Sequence, residues 1–344
     1  MRDFLNALKR PAALLLAVFF ITACSFETQE QVRSISGLTM GTSYSIKWVS
    51  AEPDSAVLQQ AVSAELVAIN NSMSTYIDSS ELSRLNQHPV GQWFPLSESL
   101  LEVLALATLI SDQSDGQFDS TVGPLVNLWG FGPDGRVTKA PSEAEIDRLR
   151  PHIGYQQLEL DTVGKRARRN ADIYIDLSAI AKGYAVDIIA QLLEQRGIKR
   201  YLVEIGGEMR LAGSKPDKQP WRVAIERPDI TERSVQGVIM PGTNAVATSG
   251  DYRNYFEQDG VRFSHTIDPN TGKPISHKLA SVTVITASCA QADAYATALT
   301  VMGDEAGYAF AIAQGIEAYF IVKADDGFKV RMTPGFSKFL DSQE

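Results

Sequence analysis

Cysteine, histidine and long apolar runs are scarce in this chain, and each scarcity excludes something. Two cysteines occur in 344 residues, Cys24 and Cys289. Cys24 closes an N-terminal apolar stretch, so the folded part keeps one thiol and no internal disulfide can staple it. Its stability must come from its core, in which Cys289 reads as a small buried hydrophobe. Four histidines leave little room for an imidazole-rich metal centre. After residue 23 no segment is apolar enough to cross a bilayer. Basic charge is also short: 32 Lys and Arg face 41 Asp and Glu, for a formal charge of −9 and a pI near 5.1. That balance argues against nucleic-acid binding, which leaves a basic footprint. Heptads, fixed-period repeats and low-complexity tracts are missing. So are a Gly-x-Gly-x-x-Gly fingerprint and a Walker A loop, which excludes the usual dinucleotide and P-loop enzymes.

The N-terminus is of another kind. Arg2, Lys9 and Arg10 precede an apolar run from Pro11 to Ala23, too short for a permanent span and suited to a signal-peptide core. Ile21-Thr22-Ala23-Cys24 looks like a bacterial lipobox, which makes residues 1–23 a signal peptide and Cys24 the lipidated first residue of an anchored protein. Residues 24–36 are expected to be the lipidated end and a polar tether. Residues 37–344 form one large domain, or two intimately packed subdomains.

Along that domain, Leu38–Val49 alternates like a strand. Helical spacing covers Ser55–Met73, Ser97–Ser111 with Ser97 as cap, Pro141–Leu149 with a Ser142/Glu145 capping box, and Ser178–Gln195 stopped by Gly197. Beyond residue 200 the texture turns to strands: Tyr201–Ile205, Met209–Ala212, Trp221–Glu226, Ser234–Ile239, Asn244–Thr248, Tyr252–Glu257, Leu279–Thr286 and Ala318–Lys323. Helices return at Ala290–Met302 and Asp304–Gln314. Turns such as Asp259-Gly260 favour antiparallel pairing. The predicted class is α+β: helices packed on mainly antiparallel sheets.

Four segments carry chemistry. In the Ala-rich helix 290–299, Asp293 and Thr297 stand four apart and share a face. A carboxylate beside a hydroxyl suits a hard cation, although an acid near a helix start and a solvated threonine read equally simply. Asp176-Leu177-Ser178-Ala179-Ile180-Ala181-Lys182 puts an acid before a helix start and a lysine just inside it. Such a start binds phosphate, and its carbonyls can hold a metal; alternatively Asp176 caps the helix and Lys182 is solvated. His265 leads into Asp268-Pro269-Asn270-Thr271-Gly272, a turn braced by Asp268. A histidine held on that strand can serve as a general base or be structural. His88, His152 and His277 sit in loop-like settings without evident partners. Finally, Met40 and Tyr76 lie among small residues, where a flat ligand could stack or a core could pack.

Eight motifs in order resemble the ApbE family of FAD:protein FMN transferases. They are Met-Gly-Thr-Ser-Tyr at 40–44, Ser-Thr-Tyr-Ile-Asp-Ser-Ser-Glu-Leu-Ser-Arg-Leu-Asn at 74–86, and Phe-Asp-Ser-Thr-Val-Gly-Pro-Leu-Val-Asn-Leu-Trp-Gly-Phe-Gly at 118–132. Asp-Leu-Ser-Ala-Ile-Ala-Lys-Gly-Tyr-Ala-Val-Asp follows at 176–187, and Val-Glu-Ile-Gly-Gly-Glu at 203–208. The last three are Ala-Thr-Ser-Gly-Asp-Tyr-Arg at 247–253, His-Thr-Ile-Asp-Pro-Asn-Thr-Gly-Lys-Pro at 265–274 and Ala-Asp-Ala-Tyr-Ala-Thr-Ala-Leu at 292–299.

The resemblance implies an ApbE-like (T-fold-like) architecture. It implies Mg²⁺-dependent transfer of FMN from FAD to a Thr or Ser hydroxyl of an exported flavoprotein, with release of AMP; Mn²⁺ or Ca²⁺ are alternative metals. Carried over residue by residue, Met40, Tyr76, Asp119, Ser120, Thr121, Asp176, Lys182 and Ile267 contact FAD. The carbonyl of Ala179, Asp293 and Thr297 hold the metal, and His265 is the general base. Acceptors in this family include subunits of sodium-pumping NADH:quinone reductase and of Rnf complexes, on the periplasmic side of a bacterial membrane. The inner membrane is the expected one, with the outer left open. The same residues also suit an FAD pyrophosphatase giving FMN and AMP, or a flavin-binding lipoprotein without turnover.

Overall fold

The computed structural model describes residues 29–52, 55–132, 135, 137, 139–229, 234–250, 255–258 and 260–341. The signal peptide, Cys24 and the 251–253 end of one motif lie outside them. The chain opens with a hairpin, β1 (Gln31–Thr39) and β2 (Thr42–Ser50), followed by helices α1 (Ala56–Met73) and α2 (Glu81–Gln87). A short β3 (Phe94–Pro95) leads to α3 (Glu98–Gln113), α4 (Gly123–Leu128) and α5 (Glu143–Leu149). Strands β4 (Leu158–Asp161) and β5 (Arg166–Arg169) precede α6 (Ala181–Gln195). Then come β6 (Tyr201–Ile205), β7 (Glu208–Ala212), β8 (Val223–Glu226), β9 (Val235–Ile239) and β10 (Ala245–Gly250). The hairpins β11 (Tyr255–Gln258) with β12 (Val261–Ser264), and β13 (Ile267–Asp268) with β14 (Lys273–Pro274), follow. Last are β15 (Leu279–Thr286), α7 (Cys289–Gln314), β16 (Glu317–Ala324) and β17 (Gly327–Met332).

Eight strands form one sheet in the order β1-β2-β6-β7-β10-β15-β16-β17, and every neighbouring pair is antiparallel. Alternation places successive side chains on opposite faces. Ile46, Trp48, Val203 and Ile205 face α1, α3 and α6 in the main core. Val282, Val284, Ala318 and Phe320 pack with α7. On the reverse face Val49, Leu211, Val246 and Ile321 meet Trp221, Ile225 and Phe336. A satellite core of Leu125, Trp129, Ile146 and Ile267 joins α4 and α5 to the β13–β14 turn.

The α+β expectation therefore holds, with instructive differences in detail. The alternating run 38–49 is the end of one strand, a two-residue turn and most of a second. Met40 (φ 49°) and Gly41 (φ 72°) both take positive φ, as a type I′ hairpin turn requires. The first strand starts at Gln31, inside the stretch read as tether. The pattern missed it because a sheet edge hides only alternate residues weakly. The third long helix begins at Ala181, three residues later than expected, because Leu177–Ile180 form a turn ending in a non-helical Ile180 (φ −148°). The two C-terminal helices run on as one element, kinked at Gly303 (φ 81°).

Helices α6 and α7 touch at Gly183. A Cβ there would lie 2.3 Å from the Cys289 carbonyl oxygen and 2.8 Å from the Ala290 Cα. Both are main-chain atoms, so the helices must part to admit it. Gly183→Ala is expected to cost about 2–3 kcal/mol. Urea unfolding checks this, and a wild-type midpoint would show slack in the contact.

Candidate active site

The close approach of α6 and α7 creates a charged cluster. Lys182, on the first turn of α6, places its Nζ 2.8 Å from Glu208 Oε1 and 3.7 Å from Asp293 Oδ1. Glu208 and Asp293 are buried. Burial works against the Lys182 charge, but Asp293 and Glu208 outweigh it and hold the ammonium above the usual lysine range. Burial pushes the Glu208 carboxyl up to about 7; Lys182 opposes that rise and Asp293 reinforces it. Lys182 and Asp293 stand out in the sequence, and Glu208 does not. Its only signal was position, directly after two glycines at the β6–β7 turn.

This raised pKa has a sign that can be tested. The folded value lies above the ordinary 4.5, so the stabilisation is full below about pH 4.5 and is lost as pH rises through about 7. In Glu208→Gln that dependence should vanish. Wild-type stability minus variant stability, from urea titrations without divalent cations, should fall across this window and level off above it. A constant difference would contradict the assignment.

The helix start fits a hard cation. Gly183 N–H would ordinarily donate to the Ala179 carbonyl; instead it donates to Asp293 Oδ2 at 3.0 Å. Neighbouring bonds, Ala181 N to Leu177 O and Tyr184 N to Ile180 O, are made. The Ala179 oxygen thus accepts no main-chain bond among the described residues, and Thr297, one helical turn beyond Asp293, has no side-chain hydrogen bond there. Carboxylate, carbonyl and hydroxyl oxygens are the donors Mg²⁺ prefers. No group of three His, Cys, Asp or Glu suited to a metal occurs among the described residues.

Beside this cluster opens a pocket of about 560 Å³, the size of a cofactor cleft. Met40, Tyr76, Asp176 and Lys182 all line it, with Ile69 and Met73 supplying apolar wall. Tyr76 is 69% exposed, an aromatic face free to stack on a ligand. Burial, then the Asp176 charge, raises its phenol pKa. Asp176 accepts a bond from Ser178 N at 2.7 Å, so it shapes the turn before α6 rather than capping the helix itself. A larger cavity of about 620 Å³ lies between Trp48 and the Arg196–Arg200 loop, and holds none of these groups.

The remaining candidates stand apart from that lining. Asp119 Oδ1 accepts from Thr121 N (2.7 Å) and Thr121 Oγ1 (2.6 Å), and its Oδ2 from Tyr155 N (3.2 Å). Burial raises its pKa and these bonds partly reverse the rise. Asp119 and Thr121 therefore organise a loop, while the Ser120 carbonyl accepts from Asp176 N at 2.7 Å and ties that loop to the pocket wall. Gly123 completes the junction: a Cβ there would sit 3.1 Å from the Asp176 Cβ. Ile267 is buried in the satellite core. His265, in the bend between β12 and β13, lies edge-on to Phe131 at 6.2 Å. Asp268 braces the following turn through Asn270 N and Thr271 Oγ1, both at 2.9 Å. Trp129 Nε1 donates to Gly272 O at 2.9 Å and fixes the turn on α4. Two of the other histidines have partners that the sequence concealed: His152 Nδ1 with Asp172 O at 2.7 Å, and His277 Nε2 with Thr300 O at 2.8 Å.

Comparison with known proteins shows the family. The ApbE family profile matches residues 40–320. An FAD:protein FMN transferase of Vibrio cholerae is 48% identical over 343 residues, covering 99% of each chain. One of Escherichia coli is 40% identical over 346 residues, covering 96% of this chain and 97% of its own. The solved structure of the flavin transferase ApbE from Vibrio cholerae superposes with a TM-score of 0.84 at 46% identity, covering 91% of this chain and all of that one.

Proposed function

This chain belongs to the ApbE family, and from that membership we propose that it moves FMN from FAD onto a threonine or serine hydroxyl of an exported acceptor flavoprotein. The acceptor oxygen attacks the FMN-side phosphorus, the pyrophosphate P–O bond breaks, and AMP leaves with the bridging oxygen. The observation that carries this reading is one junction: Lys182 lines a pocket of cofactor size and faces Asp293, which takes the Gly183 N–H that would otherwise bond the Ala179 carbonyl. Lys182 is a fixed positive charge for phosphate oxygens. Met40 and Tyr76 offer stacking and apolar surface for the flat parts of FAD. A divalent cation, Mg²⁺ first, held by Asp293, Thr297 and Ala179 O, supplies charge neutralisation at the pyrophosphate. Asp119, Ser120 and Thr121 shape the loop against Asp176, and Ile267 seats the turn that carries His265. His265 takes the proton of the attacking hydroxyl.

The lipobox at Cys24 supports anchoring to a membrane, with the domain on the periplasmic face, the inner membrane first. The flavin-carrying subunits of sodium-pumping NADH:quinone reductase or Rnf complexes are acceptors of the right compartment and chemistry. The experiment is mass spectrometry of such a subunit domain incubated with this protein, FAD and Mg²⁺, with AMP quantified in the same tube. One FMN adduct per AMP supports transfer. AMP without adduct replaces it by FAD hydrolysis, and FAD binding without AMP leaves a flavin-binding lipoprotein.

A further inference from the structure

The largest sheet has two edges, and they differ. The β17 edge is six residues long and carries Lys329 and Arg331, charges of the kind that discourage strand addition. The β1 edge is nine residues long, paired with β2 in unbroken register, without proline and with Arg33 as its one charge. None of the usual protections (bulge, proline, lysine or short length) is present on it. Because the hairpin closes on Thr39↔Thr42 through a two-residue turn, Thr39, Gly37, Ile35 and Arg33 exchange hydrogen bonds with β2. The N–H and C=O groups of Leu38, Ser36, Ser34 and Val32 therefore point outward, and none has a main-chain partner among the described residues.

This edge leads into the site. Beside it runs a groove of about 430 Å³ between β1 and α1, lined by Leu38, Leu66, Val67 and Tyr44 among others. Leu38 is 86% exposed and Val67 59%. Asn70 and Ile77 line both the groove and the flavin pocket, and β1 ends at Thr39, directly before Met40, itself part of that pocket. The transfer reaction needs a polypeptide to deliver one hydroxyl there.

We propose that β1 is the docking strand for the acceptor: an extended segment of the flavoprotein adds to its free edge and seats apolar side chains in the groove, which runs the acceptor toward the pocket. The inference rests on the transferase reading above. Strand addition gains affinity from main-chain bonds and selectivity from alternate side chains. The same edge thus accepts different acceptor sequences, provided they can extend.

Ser36→Pro tests it. The proline removes an outward donor and leaves the β1–β2 ladder its bonds. Leu38→Lys, on a side chain that packs little, is the second variant. With the acceptor subunit domain as probe, Ser36→Pro is expected to raise its KM about tenfold and Leu38→Lys about threefold, as loss of one bond and of apolar contact would. FAD affinity, read from flavin fluorescence, should stay at the wild-type value. Hydrogen exchange of the wild-type protein should show acceptor-dependent protection at the Ser34, Ser36 and Leu38 amides, and no change at Ile35 and Gly37. Unchanged KM in both variants, or no gain at those amides, overturns the proposal. Weakened FAD binding with normal acceptor KM also overturns it, by assigning the groove to FAD. A wild-type protein that forms no adduct refutes the transferase reading, and docking falls with it.

Discussion

Alanine at position 265 is expected to slow FMN transfer by about 10²–10⁴-fold, the usual contribution of a positioned general base. An alcohol is a poor nucleophile until its proton has somewhere to go, and His265 is the group proposed for that task. Its setting is rigid. Phe131 meets the imidazole edge-on, and the next turn is tied by Asp268 and by the Trp129–Gly272 bond. Removing the ring should leave that scaffold intact, because Asp268, Ile267 and Trp129 make their contacts without it. FAD binding should therefore persist while adduct formation fails. Single-turnover mass spectrometry at saturating FAD reads the chemical step directly. A rate within a few-fold of wild type would assign the base elsewhere.

The second large effect is at Asp293. Asp293→Asn keeps the size of the side chain and removes its charge. The residue then offers Lys182 no counter-charge at 3.7 Å and the proposed cation no carboxylate. Transfer is expected to fall by about 10²-fold or more, equivalent to about 3 kcal/mol of lost charge stabilisation. Binding of Mn²⁺, followed by electron paramagnetic resonance, should weaken in parallel. A further consequence separates this role from a purely structural one. Asp293 helps to raise the Glu208 carboxyl, so in the variant that group should titrate below its present value of about 7. Wild-type Mn²⁺ affinity in the variant would remove Asp293 from the ligand set.

Regular elements with strong local signals could be read from the sequence. Tyr201–Ile205 and Leu279–Thr286 are strands over the expected residues, and the Ser142–Glu145 capping box forms as its spacing indicated. Asp293 and Thr297 lie on the expected helix. Short or edge elements were not legible. Helices α2 and α4 are too brief for periodicity to register, and β1 mixes polar and apolar residues because it lacks a neighbour on one side. The site was legible mainly through motifs, since its decisive contacts join distant segments. The Gly183 N–H reaches Asp293, 110 positions away, a contact no local pattern carries. Glu208 needed the β6–β7 turn and α6 to be brought together before its partner appeared. Asp119 and Thr121 matched motif positions, but their loop-building bonds to Tyr155 N and Gly154 N depend on a segment more than thirty residues on.

The early start of β1 also sets a distance. With Cys24 lipidated as proposed, seven chain steps reach Gln31 and can span at most about 25 Å. From there β1 runs nine residues to Thr39, beside the flavin pocket, a length of about 27 Å. On the proposed anchoring, leash and spar together would limit the pocket's height above the bilayer to about 50 Å. An enzyme anchored in that way would choose acceptors by stature as well as by sequence: a hydroxyl carried on a tall extramembrane domain would stay out of reach, and one held low over the membrane could be served repeatedly.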